Sequence, residues 1–366
     1  TAYEITYGDW SSDVCSSDLV SVPSTALSGA QKAVVGSYVQ SASSVLGGAD
    51  AGNYSLTPPT TAAGRNIPTE PWPKRPIKFV VGFGPGGAND IVARIVADGV
   101  SKQLGQSVIV ENKPGAGSVL GADFVAKSTP DGYTFFVSAG GIITNPMIKK
   151  TMPYKEGDLV PVALLAVSPS IIVVPADSNI KTLKDFVAKA KEPKGVYFST
   201  AGTGSTPHFV AEMLKVNAGG KYEIIPYKSG SEAKVAVISN QVDATSESSA
   251  VTIPQIQGGK LRAIASTWNK RIESLPNVPT MKEEGYPEVF IGHWAGLFAP
   301  RGTPNEILDK MNRAIDQALK SNEVHKRLVP QGIEPMPGTR ASFTAFLVDE
   351  KNRLAPIVKR AQMKED

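Results

Sequence analysis

Cysteine is almost absent from this chain: Cys15 is the only one among 366 residues. That excludes a disulfide framework and any zinc site built on clustered cysteines. Histidine is scarce too. His208, His293 and His325 stand far apart and form no metal-ligand spacing. Aromatic residues make up only 7% of the chain, and no glycine period of the collagen kind is present. An apolar content of 41% is nevertheless too high for a disordered chain. No basic stripe occurs, and a net charge of +4 implies no nucleic-acid partner. A membrane span is lacking as well. The run from Leu159 to Ala176 carries no charge, but Pro161, Pro169 and Pro175 break it as a helix. It reads as two buried strands, Val162–Val167 and Ile171–Val174, joined by a turn at Ser168-Pro169-Ser170.

Charge is divided unevenly along the chain. Residues 1–70 hold Lys32 and Arg65 against Glu4, Asp9, Asp13, Asp18, Asp50 and Glu70, a net of −4 that leaves +8 for residues 71–366. This first part is rich in Ser, Ala, Gly and Thr. Its best helical candidate is Ala30–Leu46, weakened by serines and Gly36, and Thr57–Gly64 reads as a linker. Basic and apolar segments do not follow one another as in a signal peptide. Tyr7–Leu19 resembles translated sequencing-adapter read-through, and Gly48–Leu56 is similar to the repeat ends of large secreted adhesins. Residues 1–70 are therefore expected to be an unstructured or chimeric leader outside the fold, with the chimeric stretch at 1–66.

From Trp72 onward the pattern is that of a folded α/β protein. Ile77–Val81 is an apolar strand, followed by the turn Gly82-Phe83-Gly84-Pro85-Gly86-Gly87. The spacing of Ile91, Val92, Ile95, Val96 and Val100 predicts a helix over 88–104. Strands follow at Val108–Val110 and Tyr133–Val137, with a helix opening over Gly121–Ala126 between them. A second unit repeats the alternation: helix Thr182–Lys191, strand Val196–Ser199, the small-residue turn Thr200–Pro207, then a helix from His208. Strands Glu223–Pro226 and Arg262–Ser266 flank a helix at Ser231–Ser239. Late in the chain come strand Trp294–Pro300, helix Pro304–Leu319 and one or two closing helices in Arg340–Lys359. Such alternation predicts a parallel, doubly wound sheet.

The first turn satisfies Gly-x-Gly-x-x-Gly through Gly82, Gly84 and Gly87, between a strand and a helix, with Glu111 at the end of the next strand. Three readings fit it: a dinucleotide fingerprint, an ordinary glycine-tolerant turn, or an anion cradle whose free N–H groups hold a carboxylate at a helix N-terminus. The second turn is a plain capped helix start when taken alone. Duplication lifts it, because two glycine- and hydroxyl-rich helix starts facing one cleft would clamp a small anion from both sides. His208 and Ser205 have no nucleophile-elbow spacing, so a pocket-lining or packing histidine is the better account.

These residues fall into a longer ordered series. It runs through Trp72-Pro73-Lys74-Arg75-Pro76-Ile77, Gly84-Pro85-Gly86-Gly87-Ala88-Asn89-Asp90 with Ala93-Arg94, Leu104-Gly105-Gln106, Val110–Gly117 and Pro130-Asp131-Gly132-Tyr133-Thr134. It continues through Gly202-Thr203-Gly204-Ser205 with His208, Pro226-Tyr227-Lys228, Gly259–Ala263, Leu275–Thr280, Trp294-Ala295-Gly296-Leu297 and Ala299–Pro304. From Trp72 to Ala361 the chain resembles the tripartite tricarboxylate transporter receptors, the Bug or TctC-like extracytoplasmic solute-binding proteins.

The resemblance implies an α/β, two-lobed periplasmic-binding-protein fold of type II kind. Each lobe is a doubly wound sheet with helices on both faces, and two crossover strands form the hinge. Lobe one would be 71–172 plus 295–366, and lobe two 173–294. The function implied is capture of a small carboxylate between the lobes and its delivery to a tripartite tricarboxylate-type permease. Catalysis, cofactor, metal and direct membrane insertion have no part in it, and the protein is expected to be a periplasmic monomer. Phe83, Gly84, Pro85, Gly86, Gly87, Asn89 and Asp90 would face Ser199, Gly202, Thr203, Gly204, Ser205 and His208 across one ligand carboxylate, with Ser138 also lining the site. Asn145, Asp243, Ser246 and Glu247 are expected toward the distal end, which sets specificity. The rivals are an NAD(P)-dependent oxidoreductase using Gly82, Gly84 and Gly87, and a carboxylate sensor for a signalling partner.

The chain departs from the family pattern in places. Members often carry Pro at the position of Gly84, Gly at that of Ser229, and Phe where Ser246-Glu247 stands. A carboxylate at 247 disfavours a second ligand anion unless it is paired or points away. That admits an aromatic, amino or amide-bearing monocarboxylate.

Overall fold

A computed structural model describes residues 3–4, 54–55, 72–227 and 229–364. The chain divides into two units, Thr1–Thr69 and Glu70–Asp366. In the first, Tyr3–Glu4 pairs in parallel with Tyr54–Ser55. Apart from that pair, the leader stretches, the helix candidate Ala30–Leu46 and the linker Thr57–Gly64 lie outside the described residues.

The second unit opens with β1 (Ile77–Val81), α1 (Ala88–Leu104), β2 (Val108–Asn112), α2 (Val119–Ala126), β3 (Thr134–Ser138) and α3 (Gly141–Ile148). β1 lies between β2 and β3, parallel to both. Ile77, Phe79, Val80 and Val81 are all fully buried, as expected of a parallel strand covered on both faces. α1 keeps Val92, Ile95, Val96 and Val100 in the core and stops at Gly105, which takes φ 67° and donates its N–H to Ser101 O.

The sheet continues through β4 (Leu159–Pro175), the longest strand, and then α4 (Leu183–Ala190), β5 (Val196–Thr200), α5 (Thr206–Asn217), β6 (Tyr222–Pro226), α6 (Gly230–Ile238), β7 (Ala244–Ser248), α7 (Ser249–Gln257) and β8 (Leu261–Ser266). After β9 (Gly292–Pro300) come α8 (Asn305–Lys320), α9 (Asn322–Leu328), β10 (Glu334–Pro335) and α10 (Arg340–Arg360). The strand order is β2-β1-β3-β9-β4-β7-β5-β6, with β8 and β10 also paired to β4.

β4 corrects the expectation of two strands and a turn. It runs without interruption through Ser168-Pro169-Ser170. Its first part pairs antiparallel with β9 and β10, and its second part with β7 and β8. Pro169 stands opposite Gly292, where β9 begins, and the ladder to β7 starts at Ser170. A residue with no N–H is tolerated where partners change, so the proline marks a handover between two halves of the sheet.

Each half has a core on both faces. Phe79, Val81, Val137 and Leu297 face α1 and α8 in one cluster, while Val80, Phe136, Trp294 and Phe298 meet α2 and Phe343 of α10 in another. In the second half, Ile172, Val174 and Phe198 pack with α4 and α5, and Ile171 and Val173 with α6 and α7. α10 takes part in both halves. Phe343 near its start joins the first, and Leu354 and Val358 near its end join the second.

Helices α3 and α7 were not anticipated. Each contains a proline, Pro146 and Pro254, and short proline-bearing segments read as loops. The N-cap of α7 is made by Ser248, whose hydroxyl accepts from Ala250 N–H.

Candidate functional site

The first turn follows β1, at the C-terminal end of parallel strands where ligands bind in open α/β sheets. Gly87 is the N-cap of α1 and makes no side-chain cap bond, which leaves the first helical N–H groups without a side-chain acceptor. Positions where Gly84 and Gly86 would carry a Cβ face open space. The turn is held from behind by Asp90, whose Oδ2 accepts from Gly86 N–H at 2.9 Å and Arg94 Nε at 3.0 Å. Its Oδ1 accepts from Asn112 Nδ2 at 2.8 Å. Burial pushes the Asp90 carboxyl up, but these bonds outweigh it and hold the group below the usual carboxylate range. Asn89 donates to Ser138 O and Trp294 O, and the Ser138 hydroxyl, fully buried, reaches only Ala139 O. Asn89 and Asp90 thus position the loop, and Phe83 packs partly buried against the core.

The dinucleotide alternative loses its second element here. Glu111 is clamped by Lys78 at 2.6 Å and Lys113 at 2.8 Å, and these two cations hold its carboxyl below the usual range. Gly82 is explained by packing, because a Cβ there would collide with the Ser118 side chain.

The second turn follows β5 in the same way. Ser205 is the N-cap of α5, but its hydroxyl donates back to Gly202 O at 2.6 Å and does not cap the helix. His208 Nδ1 accepts from Gly204 N–H at 3.2 Å, and Nε2 lies 3.8 Å from Glu212. Burial lowers the His208 pKa, and the ring braces the turn through the Gly204 bond. Gly204 has φ 73°, and a Cβ there would sit 2.5 Å from Ile148 Cδ1. Thr144 Oγ1 donates to Gly204 O at 3.5 Å. α3 of the first half therefore touches the turn of the second.

The remaining expected residues separate. The Ser199 hydroxyl is spent inside the core on Ala233 O and Ala244 O. Asn145 donates to Gly117 O at 2.9 Å, beside the loop that leads to α2. Asp243 needs correction as a ligand residue. It pairs with Lys189 at 2.6 Å and accepts from Tyr197 N–H at 2.8 Å, at the N-terminal ends of β5 and β7. That is the opposite end of the sheet from the two turns. Ser246 Oγ meets Ser170 Oγ at 2.5 Å, and Ser170 Oγ lies 3.2 Å from His293 Nε2, where the two sheet halves join. Glu247 is buried against Gly230 at the start of α6, and burial pushes its carboxyl up to about 7.

Sequence reading missed Thr144 and Ile148, Ser170 and His293. The histidine was visible only as one of three isolated ones, and pairing across β4 and β7 gives it neighbours. It also missed Ser118 and Thr200, buried hydroxyls near the bases of the two turns with no hydrogen-bond partner among the described residues. A cavity of about 650 Å³ opens between Arg75, Phe124, Lys127 and Asp131, at the N-terminal end of β3. Its charges are already paired, Arg75 with Asp131 and Lys127 with Asp123.

The profile of the tripartite tricarboxylate transporter family receptor matches residues 92–363. Protein BugT of Bordetella pertussis is 34% identical over 302 residues, covering 81% of this chain and 93% of that protein. The structure of periplasmic binding protein BugD superposes with a TM-score of 0.72 at 31% identity, over 81% of this chain and 100% of that one. The structure of R. palustris Rpa4515 with adipate gives a TM-score of 0.75 at 29% identity, over 80% of this chain and 99% of that one. The architecture is the two-lobed periplasmic-binding-protein fold.

Proposed function

The chain belongs to the tripartite tricarboxylate transporter family of receptors, and on that premise we propose that it captures a small carboxylate between two lobes and delivers it to a tripartite tricarboxylate-type membrane permease. One observation carries the chemistry: two glycine-rich turns enter helices, α1 and α5, that no side chain caps. Free N–H groups at helix starts favour an anion through direct hydrogen bonds and the helix dipole. Lobe closure would exclude water and strengthen both.

In this reading the lobes are 71–172 with 295–366, and 173–294. β4 and β9 form the crossing hinge, and the end of α10 reaches over to the second lobe. The body acts as a receptor and not an enzyme, as a monomer in the periplasm. Among the described residues no helix is long and apolar enough to cross a membrane. Adipate in the Rpa4515 structure supports the carboxylate assignment.

A thermal-shift screen of small carboxylates tests the proposal, since a ligand that binds only the folded state raises the melting temperature. Ser205→Trp is expected to abolish the shift while leaving the free protein folded. Micromolar binding of NADH, with no shift from any carboxylate, would establish the oxidoreductase instead.

A further inference from the structure

Glu247 is the only charged residue of β7, and the fold makes little use of it. It stands opposite Ile171 of β4 and is 8% exposed. Among the described residues its side chain makes one hydrogen bond, a long one accepted by Oε2 from Ser248 N–H at 3.4 Å. No basic side chain among the described residues forms an ion pair with it. Oε1 lies so close to Gly230, the first residue of α6, that a Cβ there would collide with it. An unpaired buried carboxylate costs several kcal/mol in any fold, and an apolar residue facing Ile171 and Val173 would pack without that penalty.

Its position places it at the ligand end of the sheet. β5, β6 and β7 are parallel, and their C-terminal ends carry the Gly202–Ser205 turn, the segment that enters α6 at Gly230, and Glu247 itself. The N–H of Tyr227, just after β6, donates to Thr200 O at 2.9 Å. From the carboxylate-binding turn to Glu247 is one loop.

We propose that Glu247 reads the far end of the ligand, favouring a carboxylate whose distal group donates hydrogen bonds and rejecting a second free carboxylate. This rests on the carboxylate-receptor function above and names its substrate class: amides, amines or alcohols of a monocarboxylic acid. The physical reason is a mismatch. Two carboxylates in one buried site cannot both ionise without a shared proton, whereas a donor turns the unpaired acceptor into a charge-assisted bond. Among the described residues the charged neighbours do not cancel the effect. From α6 come Glu232 and Lys234, of which Lys234 attracts and lowers the Glu247 pKa less than burial raises it, leaving it at about 7. β4 offers Ile171, and α7 contains no charged residue. Among the described residues His293 is reached through Ser170 of β4 and Ser246 of β7, whose side chains lie on the other face of the sheet.

Calorimetric titration of the full chain with two matched pairs, succinate against succinamate and adipate against adipamate, at pH 6 and pH 8, tests this. Within each pair only the distal group changes. At pH 8 the monoamide is expected to bind at least tenfold tighter than the diacid. Between pH 6 and pH 8 the diacid is expected to lose roughly tenfold in affinity, because it binds only to the protonated form, while the monoamide changes far less. Glu247→Gln should flatten the diacid's pH dependence and erase the preference. Equal or tighter diacid binding to the wild type at pH 8 overturns the proposal, and that measurement needs no variant to fold. An unchanged ratio in a folded Glu247→Gln chain overturns it too. If no member of either pair binds at either pH and no other carboxylate shifts the melting temperature, it is the receptor function that fails, and this inference with it.

Discussion

Acidification should destabilise this protein through His293, by an amount the geometry bounds. The imidazole sits where β9 crosses to β4, its Nε2 3.2 Å from Ser170 Oγ, and Ser170 in turn contacts Ser246. Burial alone depresses its pKa from 6.5 to about 4, with no carboxylate beside it to compensate. In the unfolded chain the ring takes a proton near 6.5, and in the folded chain only near 4. Its contribution is therefore complete above pH 6.5 and lost as pH falls toward 4. At about 1.4 kcal/mol per pH unit the full loss is about 3 kcal/mol. The residue as a whole is half-buried, so that figure is an upper bound and ~1–3 kcal/mol is the working range. Glu247 titrates in the opposite sense over much of the same window, which makes the wild-type slope alone a poor test. The informative quantity is the difference between wild type and His293→Gln in urea unfolding at pH 7.5, 6, 5 and 4.5. The amide can keep a hydrogen bond to Ser170 and cannot titrate. The variant is expected to lose less stability by ~1–3 kcal/mol between pH 7.5 and 4.5. Parallel losses in the two proteins would refute the reasoning.

Three further outcomes can be measured on the same material. Glu247→Gln removes a carboxyl whose folded pKa of about 7 exceeds its ordinary 4.5; the wild type therefore loses stability as pH rises between those values, and the variant should be more stable by about 2–3 kcal/mol at pH 8 and equal at pH 4 in urea titrations. Gly204→Val forces a β-branched residue into φ 73° and against Ile148, and should lower the melting temperature and abolish any carboxylate-induced thermal shift. Asp243→Asn breaks a partly exposed pair with Lys189; it should cost no more than about 1 kcal/mol and leave the thermal shift unchanged, whereas loss of the shift would return Asp243 to the site.

Much of the fold was legible from local pattern. Continuous apolar runs such as Ile77–Val81 and the spacing of Val92, Ile95, Val96 and Val100 specify a buried strand and a helix, because burial on a period of 3.6 or on both faces leaves that trace. The two glycine-rich turns were legible for the same reason. Pro169 misled, since its local preference for ending a strand is overridden where β4 exchanges β9 for β7. Pro146 and Pro254 hid two helices in the same way.

What the chain alone determined, then, is the alternation of strands and helices, the two glycine-rich helix starts, and through its motifs the family. Those depend on neighbours a few residues apart. Which polar groups are available to a ligand was decided only by tertiary structure, because a hydrogen bond to a distant partner removes a side chain from the site without leaving a mark in sequence. Asp90 and Asp243 look like ligand acids in one dimension and are already engaged in three, by Arg94 and Asn112 and by Lys189. Glu247 stands out in one dimension only as a departure from the family pattern and His293 not at all, and it is folding that desolvates both.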